Sequence, residues 1–461
     1  MLDQVNHELL NRAKKEGIAF LQLEFVDLHG TPKMMSIPIH HLEQALEEGI
    51  GIDGSSVTGF VTIFDSDLVA RPDPKTWSTI PEVGIWRHGG RKVARMICDI
   101  EKPGRKAFEG DPRYILKRIL KKLTDNGMTF YVGPELEFYL VNYDPKGDIR
   151  PMDSGGYFDV FPADMGGDIR WEVISVLEDF GLEVELGHHE VGPGQHEIDF
   201  QYAEALEVAD KCVIYKQVTK ATASSRGVLA TFMPKPIQEI AGSGMHLHQS
   251  IFQTKTGENL FFDKTNNPTY LSDFARFYVG GLMEHAKALS MIVAPTVNSY
   301  RRLVPGYEAP VYITWGFANR SCLIRIPNYH PGMEKAMRAE FRCPDVSCNP
   351  YLAITAVLAA GLDGVEKEID PGEAIAEDVY EFDSRELERR NIETLPGSLF
   401  EALEALKKDD VLKKALGDHL FSRFVTIKAK EWEEFQAFLR EHPEQGERIS
   451  DWEIQRYLTT A

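Results

Sequence analysis

Phe130-Tyr-Val-Gly-Pro-Glu-Leu-Glu-Phe-Tyr-Leu140 is the stretch whose reading decides the fold. Its residues alternate in character, so Glu135 and Glu137 project from one face of a β-strand. A single pair of that kind describes a solvated strand face. The pattern recurs, however. In Gly242-Ser-Gly-Met-His-Leu-His-Gln-Ser250, His246, His248 and Ser250 share a face, and Met245 and Leu247 share the other. Glu340 and Arg342 share a face in Ala339–Pro344, as do Glu197 and Asp199 in Gln195–Tyr202, with Glu190 just upstream. Several strands placing carboxylates and imidazoles at two-residue spacing point to one polar-lined cavity. Carboxylate-rich clusters with a single His suit Mg²⁺ or Mn²⁺ better than Zn²⁺.

A basic constellation lies close by in sequence: Arg301, Arg302, Arg320, Arg325, Lys335, Arg338 and Arg342. As surface ion pairs they would each be worth little. As bidentate binders of phosphate and carboxylate beside Glu340, they supply what phosphoryl transfer needs. The chain has no GxxxxGK[ST] and no strand-linked GxGxxG, so ATP would be held by metals and side chains rather than a P-loop. A third constellation sets a carboxylate among turn residues, in Asp53-Gly-Ser-Ser56 and Pro305-Gly-Tyr-Glu-Ala-Pro310. Turn chemistry accounts for such segments; a loop bringing Glu308 over a site is the sharper reading.

Strands interleave with helices, but they alternate polar and apolar residues instead of running uniformly apolar. That predicts an α+β fold with a polar-lined sheet and flanking helices, not a doubly wound parallel sheet. Asp111 as N-cap, Pro112 at N1 and a stripe of Ile115, Leu116, Ile119, Leu120 and Leu123 predict a helix closed by Gly127. Further helices are expected near 171–180, 203–225, 272–293 and through most of 399–439. The polar segment Glu101–Gly110 reads as a linker, dividing the chain into residues 1–104 and 105–461.

The 461 residues exceed what one small core fills, so two domains are expected. The formal net charge of -20 excludes nucleic acid and anionic membrane as natural partners. No apolar run approaches bilayer length, and the N-terminus lacks a signal pattern. Five cysteines without CxxC pairing read as free thiols, which fits a cytoplasmic location.

These segments, taken in order, resemble type I glutamine synthetase. The motifs are Asp53–Ser56, Gly133-Pro-Glu-Leu-Glu-Phe138, His188-His-Glu-Val-Gly-Pro-Gly-Gln-His-Glu197, Phe232-Met-Pro-Lys-Pro236, Gly242-Ser-Gly-Met-His246, Asn298–Pro310, Asn319-Arg-Ser321 and Arg325-Ile-Pro327. The resemblance implies an N-terminal β-grasp domain, a larger catalytic domain, and active sites between subunits of a dodecamer of two hexameric rings. It implies that Glu137, Glu190 and Glu197 hold one divalent metal, and Glu135, His246 and Glu340 another. Glu185, Tyr202, His248, Ser250, Lys335 and Arg338 would surround ATP. Ser56, Tyr157, Gly242, Arg302 and Arg342 would surround the amino-acid substrate, with Asp53, Glu308 and Arg320 catalytic. The implied reaction is ligation of ammonia to glutamate through γ-glutamyl phosphate.

Three departures bear on function. The family usually carries Asn-Gly-Ser-Gly before Met-His, and here the first residue is Ala241. A γ-glutamyl-amine ligase using a larger amine, or a non-catalytic regulatory homologue, is the rival reading; Asp53, Ser56, Glu308 and every metal-ligand position argue against both. The stretch Asn391–Pro396 has no Tyr, which predicts no adenylylation, and Thr62 stands where the feedback-inhibited subtype typically has Arg.

Overall fold

In the computed structural model, which describes residues 2–83, 86, 89–143, 149–305 and 309–461, the apolar alternation near residue 20 forms β1 (Ile18–Val26). Gly30, at φ +81°, turns the chain into antiparallel β2 (Pro32–Pro38). Next come β3 (Ile50–Asp53), β4 (Asp67–Pro72), β5 (Ser78–Thr79), β6 (Lys92–Lys102) and β7 (Lys106–Ala107). The sheet runs β2-β1-β6-β4-β3, with β5 and β7 also on β6. It closes over its own core of Leu21, Leu23, Leu42, Phe60, Met96 and Phe108.

Part of the segment expected to be a linker pairs in the sheet, at Glu101–Lys102 and Lys106–Ala107. Lys102 pairs with Lys106 around Gly104, which sits at φ +82°. Asp111 then accepts from Ile100 N–H (2.9 Å) as well as capping Arg113 N–H (3.0 Å). One carboxylate thus ties the first sheet to the start of the helix Pro112–Asp125.

The second sheet has ten strands: β8 (Met128–Tyr143), β9 (Ile149–Pro151), β10 (Val184–His189), β11 (Gln195–Phe200), β12 (Ala203–Glu204), β13 (Leu229–Thr231), β14 (Met245–Gln253), β15 (Trp315–Phe317), β16 (Ile324–Ile326) and β17 (Ala339–Phe341). Its order is β10-β11-β8-β14-β17-β16-β15, antiparallel except at β15–β16. Even-numbered residues of β8, namely Phe130, Val132, Leu136, Phe138 and Leu140, are buried in the core. Each contributes roughly 1.5–3 kcal/mol when fully buried. Helices Pro112–Asp125 and Ala205–Ser225 pack against this strand. The odd-numbered Glu135 and Glu137 are thereby forced to the opposite face. In β14 the split is the same: Met245, Leu247 and Ile251 enter the core, and His246, His248 and Ser250 turn the other way. The five cysteines are free and buried.

The helix expected over residues 272–293 is two helices, Asp273–Glu284 and Ala286–Val293, meeting at His285. No Pro or Gly marks the break. His285 is instead fixed by distant partners, with Nδ1 2.6 Å from Asp409 and Nε2 3.0 Å from Asp363. Burial alone would lower its pKa, but the hydrogen bonds to Asp409 and Asp363 outweigh it and raise the pKa above the ordinary value. The stability it contributes is complete below the unfolded value of about 6.5 and is lost as pH rises through the raised folded value. Melting temperatures taken across that window should fall as pH rises, and the fall should be shallower in His285→Gln. Parallel pH profiles for the two proteins would refute this origin of the dependence.

Candidate active site

Cross-strand register builds the site. Glu135 of β8 faces His246 of β14 on one side and Asp199 of β11 on the other, and Glu137 faces Glu197. Farther out, His248 is paired with Glu340 of β17, and Glu197 with His188 of β10. A face that alternation made polar on one strand is therefore polar across five.

The side chains divide into two groups. Glu135 receives His246 Nδ1 at 3.0 Å and His248 Nε2 at 2.7 Å. Glu340 receives Arg342 Nη1 at 2.6 Å and also pairs with Arg325. Burial would raise the Glu135 pKa, but the two imidazole hydrogen bonds outweigh it and hold the carboxyl far below its usual range. Glu340 is likewise held at about 2, because the charges of His248 and Arg342 overcome its burial. His246 is lowered to about 4 by burial and by Arg342, so it is a neutral donor to Glu135.

In the other group the compensation, from Arg302, Arg342, Arg320 and His188, falls short. Glu137 accepts from Gln195 Nε2 and Gly244 N–H, both at 2.9 Å, yet burial and the neighbouring Glu190 push it up to about 7. Burial, then Glu137, Glu135 and Glu190, raise Glu197 well above its ordinary value. Burial and Glu197 carry Asp199 to about 9, and its buried Oδ1 has no hydrogen-bond partner. Buried carboxylates that repel one another and leave an oxygen unpartnered fit a hard divalent cation, which takes oxygen ligands. The ligand atoms held within 4.8 Å of one another belong to Glu135, His248 and Glu340, and to His188, Glu197 and Asp199. The grouping differs from the expected one for a local reason. Glu137 is turned toward Gln195 and Gly244, and His246 Nδ1 is engaged by Glu135 and lies 4.0 Å from Glu340.

Two cavities meet along these strands. One, of about 660 Å³, is lined by the carboxylates together with Tyr157, Ala241, Gly242, Arg302, Arg320 and Arg342. The other, of about 340 Å³, gathers Glu185, Tyr202, His248, Ser250, Lys335 and Arg338. Glu135 and Asp199 line both, so the cavities abut there. Arg302 is fixed by donating to the carbonyls of Cys343 (2.8 Å) and Arg342 (3.1 Å). A Cβ on Gly242 would come within 2.7 Å of the Arg302 side chain and of Pro234 O, so only glycine lets the two segments approach.

Other residues lie elsewhere. Arg301, read as part of the basic constellation, turns away to Glu453 and Gly446 O. Asp53 and Ser56 line neither cavity; they are on the exposed rim of the first sheet, Asp53 accepting from Ser55 Oγ and Ser56 Oγ at 2.6 Å each. Glu308 lies outside the described residues, although Ala309 lines the larger cavity.

Residues 109–457 match the family described as "Glutamine synthetase, catalytic domain", and residues 17–103 match "Glutamine synthetase, beta-Grasp domain". The chain belongs to the glutamine synthetase family. The glutamine synthetase of Halobacterium salinarum is 47% identical over 98% of this chain and 96% of its own length. That of Pyrococcus furiosus is 49% identical over 96% and 97%. Among solved structures, GmaS in complex with ADP superposes with a TM-score of 0.84 at 33% identity, covering 97% of this chain and 98% of that one. As in the family description, the first domain is a β-grasp unit, and the α+β reading holds for the whole. Two residues of this cluster, His188 and Gln195, were not singled out from the sequence, and Asp199 was placed on the face of Glu197 without a role of its own. Gln195 shares the parity of Glu197 and Asp199, so its signal was present; His188 needed the β10–β11 pairing.

Replacing one member of the less compensated group should separate stability from cation binding. In chelator, Glu197→Gln is expected to melt higher than the parent, by roughly 1 °C for each kcal/mol of repulsion removed, while Mn²⁺ no longer stabilises it normally. A lower melting temperature in chelator would show that repulsion is not the governing term.

Proposed function

We infer that the protein joins ammonia to the γ-carboxylate of L-glutamate at the expense of ATP, forming L-glutamine, ADP and phosphate. The observation that carries this reading is the abutment at Glu135 and Asp199 of an arginine- and carboxylate-lined cavity with a second cavity holding Lys335 and Arg338. An acceptor carboxylate in the first would face a terminal phosphate reaching in from the second.

Glu137, Glu190 and Glu197 would hold one divalent cation, Mg²⁺ or Mn²⁺, and Glu135, His246 and Glu340 another, with His188, His248 and Asp199 within reach. Such cations neutralise phosphate charge and align the transferred group. Glu185, Tyr202, His248, Ser250, Lys335 and Arg338 would embrace ATP. Arg302 and Arg342 hold glutamate by bidentate pairing, with Tyr157 and Gly242 completing its wall. The γ-carboxylate oxygen attacks the terminal phosphorus, ADP leaves, and Arg320 balances charge on the phosphoryl group. Asp53, assisted by Ser56, takes a proton from ammonium. Ammonia then attacks the acyl carbon and phosphate departs, with Glu308 accepting the remaining proton. Exclusion of water protects the acyl phosphate meanwhile.

Asp53 lines neither cavity of its own chain, which supports a role for it in the site of an adjacent subunit within a ring assembly of the dodecamer kind. Ile63 and Phe64, on the same rim as Asp53, are 73% and 93% exposed, as a surface covered by another copy would be. Residues 1–104 would thus serve the neighbour's site and residues 105–461 their own. No helix among the described residues is long and apolar enough to cross a membrane, and a cytoplasmic setting suits the substrates.

One observation favours a second reading. Ala241 lines the cavity with a methyl group where the family usually has Asn, which leaves room for a ligase that uses a larger amine. ATP-dependent phosphate release with glutamate should be fastest with ammonium; faster turnover with methylamine, ethanolamine or putrescine would establish the second reading instead. Mixing separately inactive Asp53→Ala and Arg342→Ala subunits should restore part of the activity if sites are shared. Failure to complement after confirmed subunit exchange would place Asp53 in its own chain's site or outside the reaction.

A further inference from the structure

Behind Glu190 and Glu197 lies a buried polar cluster that the reaction does not use: Asp153, Asp164, Arg170, His189 and His196. Potential ligand atoms of its acids and histidines lie within 4.8 Å of one another, yet the cluster is not a metal site. Arg170 occupies its middle, with Nη1 2.8 Å from His196 Nδ1 and Nη2 2.8 Å from Asp164 Oδ2. A second cation there would be opposed by the guanidinium.

Asp153 has a different geometry. Its side chain is fully buried, and its two oxygens collect four donors from separate segments. Oδ1 accepts from His189 Nε2 (3.0 Å), Gly194 N–H (2.7 Å) and Gly155 N–H (3.2 Å), and Oδ2 accepts from Met165 N–H (3.0 Å). His189 in turn has Nδ1 2.7 Å from Glu190 O, and its own carbonyl accepts from Phe158 N–H at 3.0 Å. Gly155 is required for this closure, because a Cβ there would come within 2.7 Å of His189 Nε2. Phe158 sits at φ +62°, a backbone region that a bulky residue seldom occupies. It stacks on Tyr157 at 4.1 Å and meets the His188 ring edge-on at 4.8 Å. One carboxylate therefore fixes both the turn that presents Glu190 and the aromatic loop that closes over it.

We propose that Asp153, acting through His189, is a positioning residue for the cation site, locking the Glu190 turn to the Tyr157–Phe158 loop. The proposal rests on Glu190 being a cation ligand. Groups that orient metal ligands in this manner change affinity by about 10–100-fold when removed.

The test uses the full-length protein, stripped with chelator, and Mn²⁺ alone, followed by calorimetry and electron paramagnetic resonance without nucleotide or glutamate. Asp153→Asn, which turns an NH₂ toward one of the amide donors, should weaken one class of Mn²⁺ site by about 10–100-fold. His189→Ala should do the same, and His189→Gln, whose amide nitrogen can take the place of Nε2, should recover much of the loss. Because the two His189 variants are compared with each other, the answer survives if Asp153→Asn does not fold. Unchanged Mn²⁺ affinity in folded Asp153→Asn or His189→Ala, with only a lower melting temperature, would overturn the proposal by showing that the pair merely braces the fold. Glu190→Gln is run alongside: it should abolish the same class of site, and full Mn²⁺ binding by that variant would remove the premise about Glu190 rather than the pin itself.

Discussion

The antiparallel register between β8 and its neighbours β11 and β14 is the constraint on which everything else depends. It sets Glu137 opposite Glu197, and Glu135 between Asp199 and His246. A slip of one residue would bury these acids in the core and expose Leu136, Phe138 and Leu140, so the apolar face enforces the register. The hydrophobic side of the sheet thereby holds like charges together that would separate if free. Such stored repulsion is typical of sites that do chemistry, and it is sustained by packing elsewhere.

How the repulsion is handled differs across the site. On the β14–β17 side, His246, His248, Arg325 and Arg342 answer Glu135 and Glu340 directly. On the β10–β11 side, Glu137 is met by Gln195 Nε2 and Gly244 N–H, and Glu197 by a single imidazole, His188, with Nε2 3.3 Å away. Arg302, oriented by the carbonyls of Cys343 and Arg342, offsets part of the burial and repulsion at Glu137 through its charge. The site is thus electrostatically lopsided, with a nearly balanced half on β14–β17 and a less compensated, more negative half on β10–β11. A cation entering the negative half gains more from the field, and a phosphate approaching from the balanced half meets less repulsion.

Period-two alternation made this face legible, because β8 and β14 are half-buried strands whose parity separates core from site without ambiguity. It placed Asp199 on the face of Glu197 and could have yielded Gln195 by the same rule. His188 was hidden because its partner, Glu197, is reached through a strand pairing that no local pattern specifies. The His285 break was equally invisible: its determinants, Asp363 and Asp409, are 78 and 124 residues away. Glu101–Gly110 misled for the opposite reason. Pro, Gly and charge describe a loop well, but Asp111 converts the neighbouring segment into a joint by bonding backward to Ile100. Asp53 carried no chemical signal beyond a turn, and only the resemblance to a family of shared active sites gave it a role.

The Ala241 substitution can be judged from how its segment is held. Three successive carbonyls are tied down by buried side chains: Ile240 O by Lys235, Ala241 O by Tyr139 OH at 2.6 Å, and Gly242 O by Gln195 Nε2 at 3.1 Å. None of these bonds uses the side chain of residue 241. An asparagine there would leave the backbone where it is, so its replacement by alanine removes a donor and acceptor from the cavity wall without moving Gly242 or Arg302. The scaffold for an amino-acid ligand is therefore intact, and only one polar contact is subtracted. A hydrogen bond to a charged group contributes about 1.5–3 kcal/mol, or roughly ten- to over a hundredfold in affinity. Unless Tyr157 or another wall residue supplies the missing contact, this chain should bind its amino acid more weakly than an otherwise identical protein carrying Asn. The measurement that decides it is the glutamate KM of Ala241→Asn, which falls if the wall lacks that contact and stays put if another group already provides it.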